Sequence, residues 1–219
     1  MTASMLGFFI TSCGTGRGKT FFAETLLRSW RAEGRAVDVL KPIVSGFDPK
    51  VMNGSDPARL LLAAGMDVTD QNVGSISPWR YSAPLSPDQA AALEGKKLPV
   101  DDIIDYCINR VRTASVSGKS ILVEGAGGVM VPLDDNRTMR DLIRALDLPV
   151  ILVVGSYLGS LSHTLTALES LRVLEIKVET LIVNGGPDGE IPVGETIKTL
   201  GKYTGSIPLK PMLKQNPAL

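Results

Sequence analysis

This sequence of 219 residues has few cysteines, a single histidine and no formal net charge. Its two cysteines, Cys13 and Cys107, are too few and too far apart in the chain for a disulfide framework or a structural zinc site, which predicts a reducing, cytoplasmic environment. Basic and acidic residues number 23 each, so no broad positive surface is expected to bind nucleic acid or an anionic membrane. No apolar run approaches the roughly 20 residues that cross a bilayer, so a membrane span is not expected.

Short apolar runs alternate with segments of helical spacing along the chain. This alternation is typical of β-α-β crossovers, in which a parallel sheet is covered by helices on both faces. The predicted strands lie near residues 6–11, 36–40, 121–123, 150–154, 180–183 and 206–209, and the predicted helices near 20–31, 86–95, 101–113, 138–145, 161–174 and 194–200. The sequence therefore predicts a single α/β domain over residues 1–219. Residues 48–57 are rich in turn formers and predict a loop over the carboxyl edge of the sheet.

The sharpest local motif is TSCGTGRGKT, Thr11–Thr20, between a predicted strand and a predicted helix. Its three glycines permit a tight turn in which backbone N–H groups converge on phosphate oxygens at a helix N-terminus. In such a loop Lys19 reaches the β- and γ-phosphates, and the Thr20 hydroxyl binds Mg²⁺. The pattern G-x-x-x-x-G-K-[ST] asks for glycine where this chain has Cys13, so the match is incomplete. A glycine-rich turn without a ligand is the alternative.

Three charged residues follow predicted strands or lie in turns. Glu124 ends an apolar strand, and burying its carboxylate is costly unless a cation partners it. A Mg²⁺ ion held together with Thr20 is such a cation. Lys41 follows the second predicted strand and Asp56 lies in an acidic turn. Taken alone, Lys41 is better explained as a solvated lysine and the turn Gly54-Ser55-Asp56 as a helix N-cap.

Residues 155–163, GSYLGSLSH, join a predicted buried strand to a helix. The turn between them consists mostly of small residues, which indicates a second anion site at the helix N-terminus. His163 is the only histidine in the chain. A histidine just inside a helix is more often a packed or surface residue than a base, so it is assigned no role.

In their order along the chain, these motifs resemble those of the dethiobiotin synthase family, from Gly7 to about Leu209. The pieces that carry the resemblance are KPIVSG at 41–46, SD at 55–56, VEGAGG at 123–128, LPVILVVG at 148–155, LG at 158–159 and Asn184. The resemblance implies a P-loop NTPase-like fold and an ATP- and Mg²⁺-dependent ligase of biotin biosynthesis. In that family, the enzyme closes a cyclic urea on 7,8-diaminononanoate with CO₂, through a carbamate and a carbamic-phosphoric anhydride, to give dethiobiotin, ADP and phosphate.

The resemblance also implies a role for each matching residue. Lys19, Lys41 and Thr15 would be catalytic, and Thr20, Asp56 and Glu124 would hold Mg²⁺. The implied ATP contacts are Gly14, Thr15, Gly16, Arg17, Gly18, Lys19, Thr20, Asn184 and Pro208. The implied substrate contacts are Thr15, Lys41, Ser45, Gly127 and, from the partner of a homodimer, Gly159, Ser160, Leu161 and Ser162. The substrate site would then lie at the subunit interface.

The chain departs from the family pattern at three places. Ser12 stands where members commonly have glycine, and Gly16 stands where some relatives carry a glutamate that faces the substrate. The chain also ends soon after the segment Pro208–Pro211, earlier than longer relatives. These differences affect the first phosphate contact, one substrate contact and the contacts to the nucleotide base.

Two other classes share parts of this pattern. ATPase switches of the partition or septum-site type usually carry an additional lysine near the start of the loop, where this chain has Gly14. Amidotransferase-linked ligases of corrinoid synthesis continue into a glutaminase domain, for which 219 residues leave no room. The dethiobiotin synthase resemblance is therefore the preferred interpretation.

Overall fold

The computed structural model describes residues 7–185 and 191–212. The strands are β1 (Gly7–Ser12), β2 (Val37–Leu40), β3 (Ile43–Ser45), β4 (Trp79–Tyr81), β5 (Ser120–Glu124), β6 (Val150–Gly155), β7 (Val178–Asn184) and β8 (Leu209–Pro211). The helices are α1 (Lys19–Ala32), α2 (Asp56–Ala64), α3 (Asp70–Ile76), α4 (Pro87–Leu93), α5 (Val100–Val116), α6 (Met139–Leu146), α7 (Ser160–Arg172) and α8 (Val193–Leu200), with a 3₁₀ helix at Pro49–Gly54.

Six strands form one parallel sheet in the order β2-β5-β1-β6-β7-β8, and β3 pairs with β4 in a separate parallel pair. The strand β1 is central and hydrogen-bonds to both β5 and β6. Because all strands of the main sheet run the same way, the loops after β1, β2, β5, β6 and β7 emerge at one edge. This edge carries most of the residues singled out by sequence.

Two apolar clusters cover the two faces of the sheet. Neighbouring residues of one strand divide between them: Phe9 and Val123 pack into one cluster, and Ile10 and Leu122 into the other. All four side chains are fully buried, as expected for strands with helices on both faces. The predicted α/β class with a mainly parallel sheet is confirmed.

The sequence prediction missed several elements and misplaced others. The segment predicted as a loop, 48–57, is largely ordered, because Asp48 caps a 3₁₀ helix and Ser55 caps α2, with a proline in the first turn of each. The strands β3 and β4 have three residues each, too short for a periodic signal, and α2 and α3 were also not predicted. The last strand begins at Leu209 rather than at position 206.

The remaining predicted strands and helices are present, with ends displaced by a few residues. Residue 6 of the first predicted strand lies outside the described residues. Ser86 occupies the predicted N-cap of α4, but its side chain makes no capping hydrogen bond. Among helices in the described ranges, none is both long enough and apolar enough to cross a membrane.

Candidate active site

The phosphate loop joins β1 to α1 at the carboxyl edge of the sheet. Gly16 and Gly18 have φ angles of 71° and 92°, a left-handed conformation that glycine adopts at low cost. The helix α1 begins at Lys19, and no side chain of the described residues caps its N-terminus. Its first backbone N–H groups are therefore available to an anion such as a phosphate. The predicted arrangement of strand, loop and helix is confirmed.

The loop after β5 packs directly on the phosphate loop. The Ser12 hydroxyl donates to the carbonyl of Gly127 at 3.1 Å, and the amide of Val129 donates to the Ser12 carbonyl at 3.0 Å. A Cβ atom at Gly128 would lie only 3.0 Å from the backbone nitrogen of Gly14. Glycine at 128 thus permits this backbone contact, and Ser12, which departs from the family pattern, helps to fix it.

Lys19 lies folded back into the loop. Its Nζ atom donates to the Ser12 hydroxyl at 3.0 Å, and the residue is buried. Burial, together with the nearby positive charge of Lys41, lowers the pKa of Lys19 to about 8. The ammonium group is thus held without a carboxylate hydrogen-bond partner among the described residues, a state that an anionic phosphate would relieve.

Lys41, Glu124, Asp56 and Thr20 form a cluster beside the phosphate loop. The Lys41 ammonium contacts Glu124 Oε1 and lies 3.2 Å from Asp56 Oδ2. The Thr20 hydroxyl donates to Glu124 Oε1 at 2.8 Å. Lys41 and Glu124 are both buried, so this lysine at the end of a strand is not the solvated residue that its local sequence would suggest.

The charges in the cluster stabilise one another. Burial acts to lower the pKa of Lys41, but the carboxylates of Glu124 and Asp56 more than offset it, and the pKa of Lys41 is raised. Burial alone would raise the pKa of Asp56, whereas Lys41 holds it below its ordinary value. Lys41 is therefore charged at neutral pH and serves as the cation for both carboxylates.

The oxygen atoms of the cluster fit a magnesium ion. Glu124 Oε2 is buried and has no hydrogen-bond partner in the part of the chain that the structure describes. Together with the Thr20 hydroxyl and Asp56, it forms the hard oxygen donor set that Mg²⁺ prefers. The described residues hold no group of three or more acidic, histidine or cysteine side chains that could bind a metal alone. Water and phosphate oxygens would have to complete the shell, which is usual for Mg²⁺.

A cavity of about 640 Å³ lies over the loop and the cluster. Its lining combines the charged residues Lys19, Lys41 and Asp56 with apolar residues. The apolar residues are Ile43, Val44, Pro84, Leu85, Pro87, Ala126 and Val131. Ser45 and Gly127 also line the cavity, and the Ser45 hydroxyl is buried with no hydrogen-bond partner among the described residues. The cavity can thus accept a molecule with one polar and one apolar part.

A second cavity of about 360 Å³ adjoins the first, because Thr15 and Val131 line both. Its wall includes Cys13 and Gly14 of the phosphate loop and His163 of α7. Of the loop residues predicted to contact nucleotide, Gly14 lines only this second cavity, whereas Thr15 to Thr20 line the first. Thr15 is therefore the phosphate-loop residue that both cavities share.

The predicted residues Gly159, Ser160, Leu161 and Ser162 do not line either cavity of this chain. Gly159 precedes α7 with a φ of 94°, and within residues 7–185 and 191–212 no side chain supplies a capping hydrogen bond there. Nearby, the Tyr157 hydroxyl hydrogen-bonds to His163 Nδ1 at 2.9 Å, and the Arg17 guanidinium lies over the Tyr157 ring at 4.6 Å. The structure therefore does not bring this helix start to the charged cluster within one chain.

Asn184 is the last residue of β7, whereas Pro208 immediately precedes β8. The Asn184 side chain donates to the Arg17 carbonyl at 3.0 Å, next to the phosphate loop. Pro208 lies opposite the amino-terminal part of β7, where its carbonyl accepts from the Leu181 amide at 2.9 Å. The predicted nucleotide contact at Pro208 stays a prediction. Met212 also lies near the phosphate loop, since its side chain would be 3.3 Å from a Cβ atom on Gly18.

Sequence reasoning missed Glu24 and Arg59, which lie beside the cluster. Arg59 lines the larger cavity and makes two hydrogen bonds to Glu24. The two residues are on different helices, so no local motif connects them. The only sequence signal is their helical spacing, because Glu24 is four residues after Thr20 and Arg59 is three residues after Asp56.

Comparison with known proteins shows close sequence relatives. The sequence matches the AAA domain family over residues 7–216. It is 42% identical over 205 residues to the ATP-dependent dethiobiotin synthetase BioD of Acidiphilium cryptum, covering 93% of this chain and 91% of the relative. It is 47% identical over 184 residues to the protein of the same name from Caulobacter vibrioides, covering 84% of this chain and 82% of the relative.

Among solved structures, the signal recognition particle 54 kDa protein from Aeropyrum pernix in complex with GDP has a similar fold. The TM-score is 0.57 at 16% identity, covering 97% of this chain and 43% of that protein. This chain thus spans less than half the length of that structure. At such low identity, the similarity concerns the fold alone, and it agrees with a P-loop NTPase-like architecture.

Proposed function

This chain belongs to the family of ATP-dependent dethiobiotin synthetases, and from that premise we propose how its residues divide the work of the reaction. Membership makes the chain an ATP-dependent ligase of dethiobiotin synthesis. We assign it the cyclo-ligase reaction, in which 7,8-diaminononanoate and CO₂ are joined into a cyclic urea. The observation that carries this assignment is the position of Lys41 beside the phosphate loop, between Glu124 and Asp56.

The reaction proceeds in three bond-forming steps. A nitrogen of the diamine attacks the carbon of CO₂ and loses a proton, which gives a carbamate. A carbamate oxygen attacks the γ-phosphorus of ATP, the bond to the bridging oxygen breaks, and ADP leaves. The second amine then attacks the carbamoyl carbon, the bond to the phosphate oxygen breaks, and phosphate leaves with loss of a proton from nitrogen. Dethiobiotin, ADP and phosphate are the products.

The lysines of the cavity neutralise the negative charge that moves during these steps. Lys19 belongs with the β- and γ-phosphates, and Lys41 with the carbamate and the transferring phosphoryl group. Thr15 lies between the two cavities and is suited to contact the reacting end of the substrate. The unpartnered Ser45 hydroxyl is suited to hydrogen-bond an amine. Positioning and charge neutralisation account for most of the catalysis in such a scheme.

Thr20, Asp56 and Glu124 are the residues that would hold Mg²⁺. A magnesium ion in phosphoryl transfer neutralises developing charge on the phosphate oxygens. The support from this chain is the donor set itself and the unpartnered oxygen of Glu124. Asn184 and Pro208 are the candidates for contacts toward the nucleotide base, and Met212 lies near the phosphate loop as well.

The substrate carries two amines at one end and a carboxylate at the other, so its two ends need separate binding groups. The apolar wall of the larger cavity suits the intervening hydrocarbon chain. We assign the carboxylate to the start of α7 in the partner of a homodimer, at Gly159, Ser160, Leu161 and Ser162. Support comes from the helix start itself, which no side chain of the described residues caps, and from the fact that these four residues do not line the cavity of their own chain. The cytoplasmic location expected from the cysteine content stays a prediction.

Phosphate release with each reactant omitted in turn tests this function. The complete mixture of ATP, Mg²⁺, bicarbonate and 7,8-diaminononanoate should release phosphate, and omission of any one should abolish release. ATP hydrolysis at the same rate without the diamine would contradict the ligase assignment and favour an ATPase switch of the partition type. Formation of dethiobiotin in equal amount to phosphate is the confirming measurement.

A further inference from the structure

Two residues that the reaction scheme does not use, Glu24 and Arg59, lie beside the cluster of Lys41, Glu124, Asp56 and Thr20. Thr20 and Glu24 lie one turn apart on α1, and Asp56 and Arg59 lie about one turn apart on α2. The Arg59 guanidinium donates to both carboxylate oxygens of Glu24, from Nε to Oε1 at 3.0 Å and from Nη2 to Oε2 at 2.7 Å. The pair therefore connects the two helices one turn behind Thr20 and Asp56.

Asp56 is the least restrained oxygen ligand of the cluster. Glu124 is fully buried at the end of a central strand, whereas the side chain of Asp56 is 42% exposed at the first residue of α2. Its Oδ2 atom is 3.2 Å from the Lys41 ammonium, and its Oδ1 atom is 3.9 Å from Arg59 Nη1. The second oxygen of Asp56 thus faces the Arg59 guanidinium.

The geometry of arginine determines where that guanidinium can lie. The group is planar, and two hydrogen bonds to one carboxylate fix its plane and direction. With Nε and Nη2 bonded to Glu24, the remaining Nη1 is left on the side of Asp56. A lysine at this position could supply a positive charge but could not bind Glu24 in this two-point manner.

We propose that the Arg59–Glu24 pair is a positioning device that holds Asp56 and α2 in place for a divalent cation at Thr20, Asp56 and Glu124. Arg59 acts through Asp56 and touches neither the metal nor the reacting atoms. This inference rests on the proposed magnesium site. Residues that orient a metal ligand typically contribute about 10- to 100-fold to metal affinity. Because Asp56 is partly exposed, we expect an effect at the lower end of this range, about tenfold.

The direction in which Mg²⁺ affinity changes when Arg59 is removed distinguishes a positioning role from charge repulsion. Arg59 is a positive charge near the cation site, so removing it would strengthen Mg²⁺ binding if charge repulsion alone mattered. Loss of positioning would weaken binding instead. Replacing Glu24 with aspartate keeps the negative charge but shortens the side chain by one methylene group. It should therefore weaken Mg²⁺ binding only if the two-point contact with Arg59 matters.

The experiment is a calorimetric titration of Mg²⁺ into the protein saturated with β,γ-imido-ATP, a non-hydrolysable analogue. Arg59→Ala should raise the Mg²⁺ dissociation constant about tenfold, and Glu24→Asp should raise it severalfold. Arg28→Ala removes the same charge from an exposed position on α1 and should leave the constant unchanged. The melting temperature of each variant without metal shows that it is folded. Should Arg59→Ala not fold, Glu24→Asp decides the question.

An unchanged or lower dissociation constant for Arg59→Ala, or for Glu24→Asp, would overturn the positioning role. Asp56→Asn tests the metal site itself and should weaken Mg²⁺ binding at least as much as Arg59→Ala. If Asp56→Asn weakens binding and Arg59→Ala does not, the site stands and only the positioning role fails. If the wild-type complex binds no Mg²⁺, the site and the positioning role fail together.

Discussion

Replacing Lys41 with methionine should destabilise the protein before any substrate is added. Lys41 is the cation that contacts Glu124, whose side chain is fully buried, and also Asp56. Methionine has a similar length but no charge, so the Glu124 carboxylate would remain buried without its cation. Removing one partner of a buried ion pair costs about 3–5 kcal/mol. That is a large part of the roughly 5–15 kcal/mol by which folded proteins are stable.

Thermal unfolding in the presence of a chelator measures this loss. For a chain of this size, each kcal/mol lowers the melting temperature by about 2–4 °C, so Lys41→Met should lower it by about 10 °C. The double variant Lys41→Met/Glu124→Gln should recover most of the loss, because no unpaired charge remains buried. Lys177→Met is the matched control. Its pair with Glu179 is exposed, and removing it should cost less than about 1 kcal/mol.

Two results would refute this reasoning. The first is a melting temperature for Lys41→Met equal to that of Lys177→Met. Such a result would mean that the Glu124 carboxylate does not depend on Lys41. The second is a double variant less stable than Lys41→Met, which would mean that the loss arises from packing rather than from an unpaired carboxylate.

Two further predictions concern the ligands. Because the pKa of Lys19 is lowered to about 8, the free protein loses this charge as the pH rises through 8. ATP affinity should therefore fall above that pH, by up to about tenfold per pH unit. Adenosine, which has no phosphate, should bind with the same affinity at every pH. A flat ATP profile would contradict the role of Lys19. Esterifying the substrate carboxylate should raise KM about tenfold, equivalent to about 1.4 kcal/mol, and the protein should sediment as a dimer. An active monomer, or an ester used as well as the acid, would contradict the assignment of Gly159, Ser160, Leu161 and Ser162.

The phosphate loop and the ends of the main strands could be predicted from the sequence because their signals are local. A glycine-rich segment between an apolar run and a helical pattern is contained within about fifteen residues. Glu124 could be found in the same way, as a carboxylate at the end of a strand that needs a cation. Asp56 and Lys41 gained a role only from the resemblance, since their local patterns also fit a cap and a solvated lysine.

The remaining features depend on contacts between distant segments. The pair of Glu24 and Arg59 joins two helices across 35 residues, and only the packed structure brings the side chains together. The start of the last strand was predicted three residues too early, at position 206 rather than Leu209, because its ends depend on pairing with β7. Residues 48–57 were predicted as a loop although two helices begin there, because the residues that form turns also cap helices; the N-cap interpretation of the turn at 54–56 is confirmed at Ser55.

The contact between Gly128 and Gly14 has a consequence for how this site can vary. Two turns from adjacent strands touch through their backbones, and hydrogen bonds from Ser12 and Val129 join them. One of these turns follows Glu124, and the other surrounds the phosphates in the proposed function. A side chain at 128 would displace both turns at once. A substitution at 128 is therefore expected to disturb the turn after Glu124 and the phosphate loop together, so that neither can be altered there while the other is preserved.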